Sequence, residues 1–206
     1  MPDRSEPATA GNGSRPGSGK VAVALRFAVE AHLGQSRKDR RTPYIVHPVA
    51  VMRVLSSELG MTEPDVLCAA LLHDVLEDTP RTFADVRAQF GPRVAQWVEE
   101  LTIPHEFHGP TVPDSVKTEL LVRATGEISW PAVLVKLADR VDNLRDSASA
   151  HWSPRKRRAF RDQTEEILKT VRRRRRSDPP PPALADSLRG AIRLLRVQLR
   201  RAGPEP

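Results

Sequence analysis

The chain has 206 residues, 39% of them hydrophobic, and one cysteine, which fits a single domain with tails and excludes an intramolecular disulfide framework. Its formal net charge of +7 comes from residues 155–206, where 16 Lys and Arg face 6 Asp and Glu, whereas residues 1–154 contain 17 against 20. This slightly acidic body argues against a nucleic-acid binder that uses its whole surface.

Residues 1–19 are rich in Gly, Ser, Pro and charge, and this composition predicts a disordered N-terminal segment. From 20 to 172 the apolar residues recur at three- and four-residue spacing, without strand alternation. Proline or a capping residue precedes several apolar runs, as at Pro64, Thr82, Pro92 and Pro131. The pattern predicts an all-α domain of seven or eight helices.

The C-terminal part begins with a run of arginines, and residues 173–182 are predicted to form an Arg/Pro-rich linker because consecutive prolines interrupt a helix. Residues 183–206 are predicted to form a basic amphipathic helix and tail. Such a segment could bind RNA, ribosomes, anionic lipid or an acidic partner. The favoured interpretation is instead a helix whose leucine stripe packs on the body or in a dimer.

No stretch approaches the ~18 apolar residues of a membrane span, and the N-terminus lacks the apolar centre of a signal peptide. These features predict a cytoplasmic protein without a membrane span.

The strongest chemical signal is the segment LCAALLHDVLEDTP. His73 and Asp74 directly follow an apolar helical run, and Glu77 and Asp78 come one turn later, so the four side chains lie on neighbouring faces. Carboxylates gathered near a buried helix end repel one another unless a cation compensates them. A divalent metal is the natural candidate.

Two other apolar helices offer polar residues of the same kind. Asp139 and Asn143 are four residues apart in AVLVKLADRVDNLRD, and His47 opens the apolar run after PYIV. Each residue alone is better explained by a helix cap or a surface salt bridge. Together with the pairs at 73–74 and 77–78 they indicate one shared site, because several independent accidents would otherwise have to coincide.

At these residues the sequence resembles the HD superfamily of phosphohydrolases. The segments GQSRK, PYIVHP, LLHDVLEDTP and KLADRVDNLRD are similar to the hydrolase domain of the RelA/SpoT-type alarmone enzymes, in the same order, from about residue 20 to about 170. The resemblance implies an HD-type helical bundle. It also implies a stand-alone small alarmone hydrolase, because the chain has no room for synthetase or regulatory domains.

The resemblance implies that His47, His73, Asp74 and Asp139 hold one Mn²⁺ ion and that Glu77 and Asp78 are the catalytic acids. The implied reaction is hydrolysis of guanosine tetra- or pentaphosphate at the 3′ oxygen, releasing pyrophosphate and GDP or GTP. Such an enzyme is a phosphoric ester hydrolase, a 3′-diphosphatase, that lowers the stringent-response signal.

The resemblance also implies a substrate-binding set: Arg37 and Lys38 at the pocket mouth, Tyr44 lining the nucleotide pocket and Asn143 near the ribose. From residue type alone, a solvated Arg-Lys pair and a packed tyrosine are the simpler interpretations. Lys136 and Arg140 could neutralise phosphates or form helix salt bridges. The other histidines, 32, 105, 108 and 151, are predicted to be structural or exposed.

Two alternatives stay open. The chain could be an HD-fold phosphohydrolase of another nucleotide, such as a dinucleotide cofactor phosphate or a deoxynucleotide. It could also be a regulator that binds alarmone without hydrolysing it, as an antitoxin-like partner of a toxic synthetase. Glu77 and Asp78 argue against a pure binder, which has little need of them.

Two departures from the family pattern affect expected selectivity. The loop at 39–42 reads DRRT where the family often has a glycine, and Asp142 replaces a histidine or another bulky residue. Asp142 is expected to add negative charge near the substrate pocket, which would change substrate preference and leave the metal ligands untouched.

Overall fold

The computed structural model describes residues 17–104, 107, 112–147 and 152–202. These residues form ten α-helices and no β-strand, which confirms the all-α prediction. The helices are α1 Ser18–Ala31, α2 Val46–Arg53, α3 Pro64–Leu72, α4 Val75–Asp78, α5 Phe83–Phe90, α6 Pro92–Leu101, α7 Asp114–Glu127, α8 Trp130–Asp146, α9 Pro154–Ser177 and α10 Pro182–Arg201. A π-helical turn, Val54–Glu58, extends α2. Seven or eight helices were predicted for residues 20–172, where the structure has nine, α1–α9, since short helices such as the single turn α4 have no periodicity to detect.

The predicted helix starts agree with the structure. Pro64 and Pro92 open α3 and α6, where their missing N–H groups cost no hydrogen bond. Thr82 caps α5 through a reciprocal pair of hydrogen bonds with Asp85.

Gly17 marks the entry into the domain. Residues 1–16 of the predicted disordered segment lie outside the described residues, and α1 begins at Ser18, two residues before the predicted boundary. Gly17 has a φ of 94°, and a Cβ atom at this position would overlap the ring of Pro64. Both the conformation and the close approach therefore require glycine.

Helices α3 and α8 form the centre of the domain. Helix α3 contacts α1, α2, α6 and α8, while α8 also contacts α2, α6 and α10. Both helices are buried along most of their length, including Leu71, Leu72, Leu134 and Leu137, which are 0% exposed. A helix buried this fully carries apolar residues on nearly all sides, and any polar side chain on it needs a partner.

The C-terminal part is more regular than its sequence predicts. Helix α9 continues through all five arginines to Ser177, so only residues 178–181 of the predicted 173–182 linker are irregular. Arginine is a good helix former, and the proline run alone ends the helix. Helix α10 then packs on α8 with its apolar stripe buried: Leu184, Leu188, Ile192, Leu195 and Leu199.

Among the described residues, no helix combines the length and the apolar character that crossing a membrane requires.

Candidate metal centre and substrate cleft

Three parts of the fold bring polar side chains to one corner. His47 lies in the first turn of α2, and Asp139 lies in the middle of α8. His73 and Asp74 occupy the break between α3 and α4, where the chain leaves the apolar run. His73 is buried there, at 3% exposure.

The distances at this corner are short. Nε2 of His47 lies 3.2 Å from Oδ1 of Asp139 and 3.7 Å from Oδ2 of Asp74. Nε2 of His73 lies 3.1 Å from Oδ2 of Asp74 and 3.9 Å from Oδ1 of Asp139. Two imidazoles and two carboxylates from three distant segments therefore converge on one point.

The contacts of the outer nitrogens define the tautomer that each imidazole adopts when it is neutral. Nδ1 of His47 lies 2.7 Å from Oδ2 of Asp142, and Nδ1 of His73 lies 2.8 Å from the carbonyl oxygen of Ala70. Both oxygens only accept, so each Nδ1 carries a proton and donates it. In the neutral imidazoles the two Nε2 lone pairs consequently point towards the carboxylates of Asp74 and Asp139.

The His73 ring shows that the corner fits a divalent metal. Its Nε2 atom is buried and has no hydrogen-bond partner among the described residues, although a carboxylate oxygen of Asp74 is 3.1 Å away. A lone pair facing a carboxylate at this distance is repulsive unless a proton or a metal ion lies between them. Burial opposes the proton, but Asp74 outweighs it and raises the pKa of His73. Imidazole nitrogen and carboxylate oxygen together are the donors of a first-row divalent ion, so His47, His73, Asp74 and Asp139 could hold one.

The electrostatics of the corner also favour a cation. Burial alone would lower the pKa of His47, but hydrogen bonds to Asp139 and Asp142 outweigh it and raise that pKa to about 10. Burial would likewise raise the pKa values of Asp74 and Asp139, yet the neighbouring imidazoles hold both well below their usual range. Without a metal, a proton on His47 compensates the carboxylates, and a metal ion must displace it.

Glu77 and Asp78 lie beside this corner on α4. Oε2 of Glu77 accepts a hydrogen bond of 3.0 Å from the backbone N–H of Ile103, which holds the carboxylate in place. The hydroxyl of Tyr44 lies 2.7 Å from Oδ2 of Asp74 and 2.9 Å from Oδ2 of Asp78. Burial and these two carboxylates raise the pKa of Tyr44 far above its usual value, so the hydroxyl keeps its proton and links Asp78 to the corner.

The corner opens into a cleft of about 420 Å³, which is lined by carboxylates and by several cations. The cations in the lining are Arg37, Lys38, Lys136, Arg140 and Lys156. Arg140 is 3% exposed and lies 4.3 Å from the ring centroid of Phe160, and its Nε and Nη1 atoms have no hydrogen-bond partner within the described part of the chain. Burial lowers the pKa of Arg140 to about 10, which leaves it charged at neutral pH. A buried guanidinium with unused donors in a cleft is suited to an anion.

Two of the predicted substrate-binding residues contact protein groups. Nη2 of Arg37 lies 3.1 Å from Oδ2 of Asp146, so its guanidinium is ion-paired at the cleft wall. Nδ2 of Asn143 donates to Oδ1 of Asp139 at 2.5 Å, which orients that carboxylate. Both residues nevertheless line the cleft.

Trp152, which no sequence pattern indicated, also lines the cleft. The Nζ atoms of Lys38 and Lys156 lie 4.7 Å and 4.4 Å from its ring centroid. Desolvation, and then the neighbouring Lys156 and Arg37, lower the pKa of Lys38 to about 8. A single tryptophan outside any apolar repeat carries no spacing signal, so only the tertiary structure places it here.

His32 was predicted to be structural or exposed, and it is buried at 3% exposure. Its Nδ1 pairs with Oε1 of Gln35 at 2.8 Å, and its ring packs on Tyr44 with the centroids 4.7 Å apart. Gln35 in turn donates to the backbone carbonyl of Asp78 at 2.7 Å. His32 therefore supports the residues of the site from behind. The other three histidines, 105, 108 and 151, lie outside the described residues.

The two departures from the family pattern have structural explanations. In the 39–42 loop, Arg40 has a φ of 58°, a conformation that glycine adopts without strain. Asp39 stabilises this turn by accepting hydrogen bonds of 2.9 Å from the backbone N–H groups of Arg41 and Thr42. Asp142 was expected to affect the substrate pocket, but its carboxylate binds His47 and lies 4.0 Å from Arg37.

An all-helical body with a His-Asp doublet at a helix break and further His and Asp ligands from two other helices defines a class of metal-binding phosphohydrolases. A family profile described as HD domain matches residues 24–175. The chain belongs to the HD-domain family.

Within this family, the chain is 40% identical over 156 residues to guanosine-3′,5′-bis(diphosphate) 3′-pyrophosphohydrolase MESH1 of Xenopus tropicalis, covering 74% of this chain and 84% of that protein. The human MESH1 protein is 38% identical over 154 residues, covering 73% of this chain and 83% of that protein. The solved structure titled "A metazoan ortholog of SpoT hydrolyzes ppGpp and plays a role in starvation responses" superposes with a TM-score of 0.74 at 31% identity, covering 90% of this chain and 97% of that chain.

Proposed function

We propose that this chain hydrolyses guanosine 3′,5′-bis(diphosphate), and its pentaphosphate analogue, at the 3′ position, releasing pyrophosphate and GDP or GTP. The observation that carries the proposal is the convergence of His47, His73, Asp74 and Asp139 beside Glu77 and Asp78. The same cleft contains the buried guanidinium of Arg140, whose Nε and Nη1 have no hydrogen-bond partner among the described residues. The names of the relatives support this choice of substrate.

We propose Mn²⁺ as the ion and the four converging side chains as its ligands. Mixed imidazole and carboxylate donors suit Mn²⁺ and leave room for further oxygen ligands. Asp142 and Ala70 fix the rings of His47 and His73 from behind, and Asn143 fixes the Asp139 carboxylate. Such an ion supplies Lewis acidity, which makes a water molecule a better nucleophile at neutral pH.

We assign the proton transfers of the reaction to the two carboxylates of α4. Glu77, held by the backbone of Ile103, is placed to accept the proton of the attacking water. The oxygen of that water forms a bond to the phosphorus attached to the 3′ oxygen, and the bond between this phosphorus and the 3′ oxygen breaks. Asp78, held by Tyr44 at the exposed edge of the site, is placed to exchange protons with solvent and to protonate the departing 3′ oxygen.

The cations of the cleft bind the diphosphate groups. Arg140 offers unused N–H groups from a buried position, and Lys136 lines the same cleft. Lys38 and Lys156, beside Trp152, place further positive charge at the wall. Arg37 is already paired with Asp146, so we assign it a structural role at the side of the cleft and a peripheral contact with the nucleotide.

The experiment is pyrophosphate release from guanosine tetraphosphate with Mn²⁺, compared with release after chelation. Wild-type protein should hydrolyse the tetraphosphate, and Asp74→Ala should lose both metal binding and hydrolysis. Glu77→Gln should still bind the metal, but its kcat should be about 10²- to 10⁴-fold lower. Thr79→Ser, beyond the catalytic pair, is the matched control on the same segment.

A panel of other nucleotides separates the alternatives. If the protein hydrolysed only a deoxynucleotide or a dinucleotide cofactor phosphate, it would be a phosphohydrolase of another nucleotide. Tight binding of the tetraphosphate by fully metal-loaded wild type without any turnover would identify a regulator. Either result would overturn the proposal.

A further inference from the structure

The solvent side of α10 is an arginine stripe. Arg193, Arg196 and Arg200 are exposed, and they follow one another at three- and four-residue spacing, so they lie along one face. The opposite face of the helix is buried on α8 through its leucines. The arginines are therefore not needed to attach the helix to the body.

These arginines lack the usual surface partners. Arg189 pairs with Asp186 and Arg174 pairs with Asp178. In the described ranges 17–104, 107, 112–147 and 152–202, no carboxylate lies within ion-pair distance of Arg193, Arg196 or Arg200. Adjacent unpaired cations repel one another. Their arrangement is stabilised when an anion lies across them.

A groove of about 280 Å³ between α9 and α10 extends this stripe. Arg172 and Lys169 of α9 line it together with Arg196 and Arg200 of α10, and Glu165 is the one carboxylate in the lining. Lys169 pairs with Glu166 on the outside of α9, while burial and the proximity of Arg196 lower the pKa of Arg172. The groove thus concentrates positive charge from two helices. We call the stripe and this groove the α9/α10 basic face.

We propose that the α9/α10 basic face binds nucleic acid through its phosphate backbone. Arg193 to Arg200 spans seven residues, or about 10.5 Å along the helix axis, so the three guanidinium groups form one row that can contact several phosphates. Arginine forms bidentate pairs with phosphate oxygens. Residues 161–206 contain no aromatic residue, so base stacking is absent there and binding is independent of sequence.

The buried leucine stripe distinguishes this partner from a membrane. An amphipathic helix binds lipid by inserting its apolar face, whereas the apolar face of α10 is already covered by α8. The exposed face of α10 therefore presents arginine side chains. A row of guanidinium groups on a helix suits a polyanion with regularly spaced phosphates.

The basic face is separate from the substrate cleft, although both use α9. The cleft is lined on α9 by Lys156, Phe160 and Gln163, whereas the groove is lined by Glu165, Lys169 and Arg172, and the two linings share no residue. The arginines of α10 line only the groove. Nucleic-acid binding and hydrolysis can therefore be tested independently.

The test is fluorescence anisotropy of the full chain with a short labelled RNA duplex and the same DNA duplex, repeated over a range of salt concentrations. Wild type should bind both, with log K falling linearly with log salt. Arg193→Gln, Arg196→Gln and Arg200→Gln combined should weaken binding about tenfold or more and reduce the salt slope by about two to three.

The matched control neutralises three exposed arginines elsewhere, Arg26, Arg87 and Arg123 on α1, α5 and α7. It removes the same net charge and should retain at least half of the wild-type affinity. Pyrophosphate release should be unchanged in both triple variants. Equal losses in the two variants, absence of binding by wild type at low salt, or binding only to vesicles containing phosphatidylglycerol would each overturn the proposal.

Discussion

The Oδ2 atom of Asp142 lies 2.7 Å from Nδ1 of His47, joining α8 to α2 directly behind the metal corner. Because the carboxylate accepts the Nδ1 proton, the Nε2 lone pair of the neutral ring faces Asp74 and Asp139. A carboxylate behind a ligating imidazole fixes the ring and makes it more basic. We therefore assign Asp142 to the proposed metal site, although the sequence indicated a role at the substrate pocket.

We expect Asp142→Ala to weaken Mn²⁺ binding about 10- to 100-fold. The Mn²⁺ affinity of Asp142→Asn should lie between those of Asp142→Ala and wild type, because the amide oxygen can still accept the hydrogen bond from His47. Free Mn²⁺ measured by electron paramagnetic resonance during titration, at fixed pH, gives the affinity. Asp146→Asn is the control, since Asp146 pairs with Arg37 and does not contact His47. Equal affinity in Asp142→Ala and wild type would remove Asp142 from the metal site.

Arg140→Met should raise KM for the tetraphosphate about tenfold or more, because a charged hydrogen bond to phosphate is worth about 1.5–3 kcal/mol. Methionine keeps the contact with Phe160 while losing the charge. The ligand-free variant should be at least as stable as wild type, since the substitution removes a buried cation without a hydrogen-bonded partner at Nε or Nη1. Steady-state kinetics and thermal unfolding test both halves of the prediction.

A lower melting temperature for Arg140→Met together with an unchanged KM would mean that the guanidinium serves the fold and not the substrate. Arg140→Lys, which keeps a charge, should fall between the two proteins in KM.

Substrate binding should weaken in alkaline solution because the pKa of Lys38 is lowered to about 8. A lysine with a lowered pKa is charged below that value and neutral above it, so KM should rise up to about tenfold between about pH 7 and about pH 9. Lys38→Arg should flatten this part of the profile, since arginine stays charged throughout. The measurement is KM against pH at saturating Mn²⁺, and an identical profile for the two proteins would contradict the assignment.

Helix α10 should contribute to stability as a packed element of the domain. Leu195 is 0% exposed, so Leu195→Ala should lower the free energy of unfolding by about 2–5 kcal/mol through lost burial and a residual cavity. Urea denaturation followed by circular dichroism measures the change. Val197→Ala, on the partly exposed side of the same helix, should cost about 1 kcal/mol or less. Similar small effects of both substitutions would show that α10 does not pack on the body.

Patterns of local origin were predictable from the sequence. The helical class followed from apolar spacing, and the capping residue Thr82 and the prolines at 64 and 92 begin helices as predicted. The His73-Asp74 doublet was conspicuous because polar ligand-type residues directly after a buried run are costly without a function.

Contacts between distant segments were not predictable in the same way. The roles of Asp142 and Asn143 depend on which way α8 faces α2, and the position of Trp152 depends on how α9 returns to the cleft. Similarly, α9 includes the five arginines, most of which were predicted to belong to a linker, because arginine has a high helix propensity.

The sequence by itself thus determined the helices, the likeness to HD hydrolases and the identity of the candidate ligands, because each of these is recorded in residue type and short-range spacing. The tertiary structure decided which atoms meet: the tautomers of the two imidazoles, the unused donors of Arg140 and the burial of the leucine face of α10. These depend on packing between elements far apart in the chain, and such packing leaves no periodic trace in a single sequence.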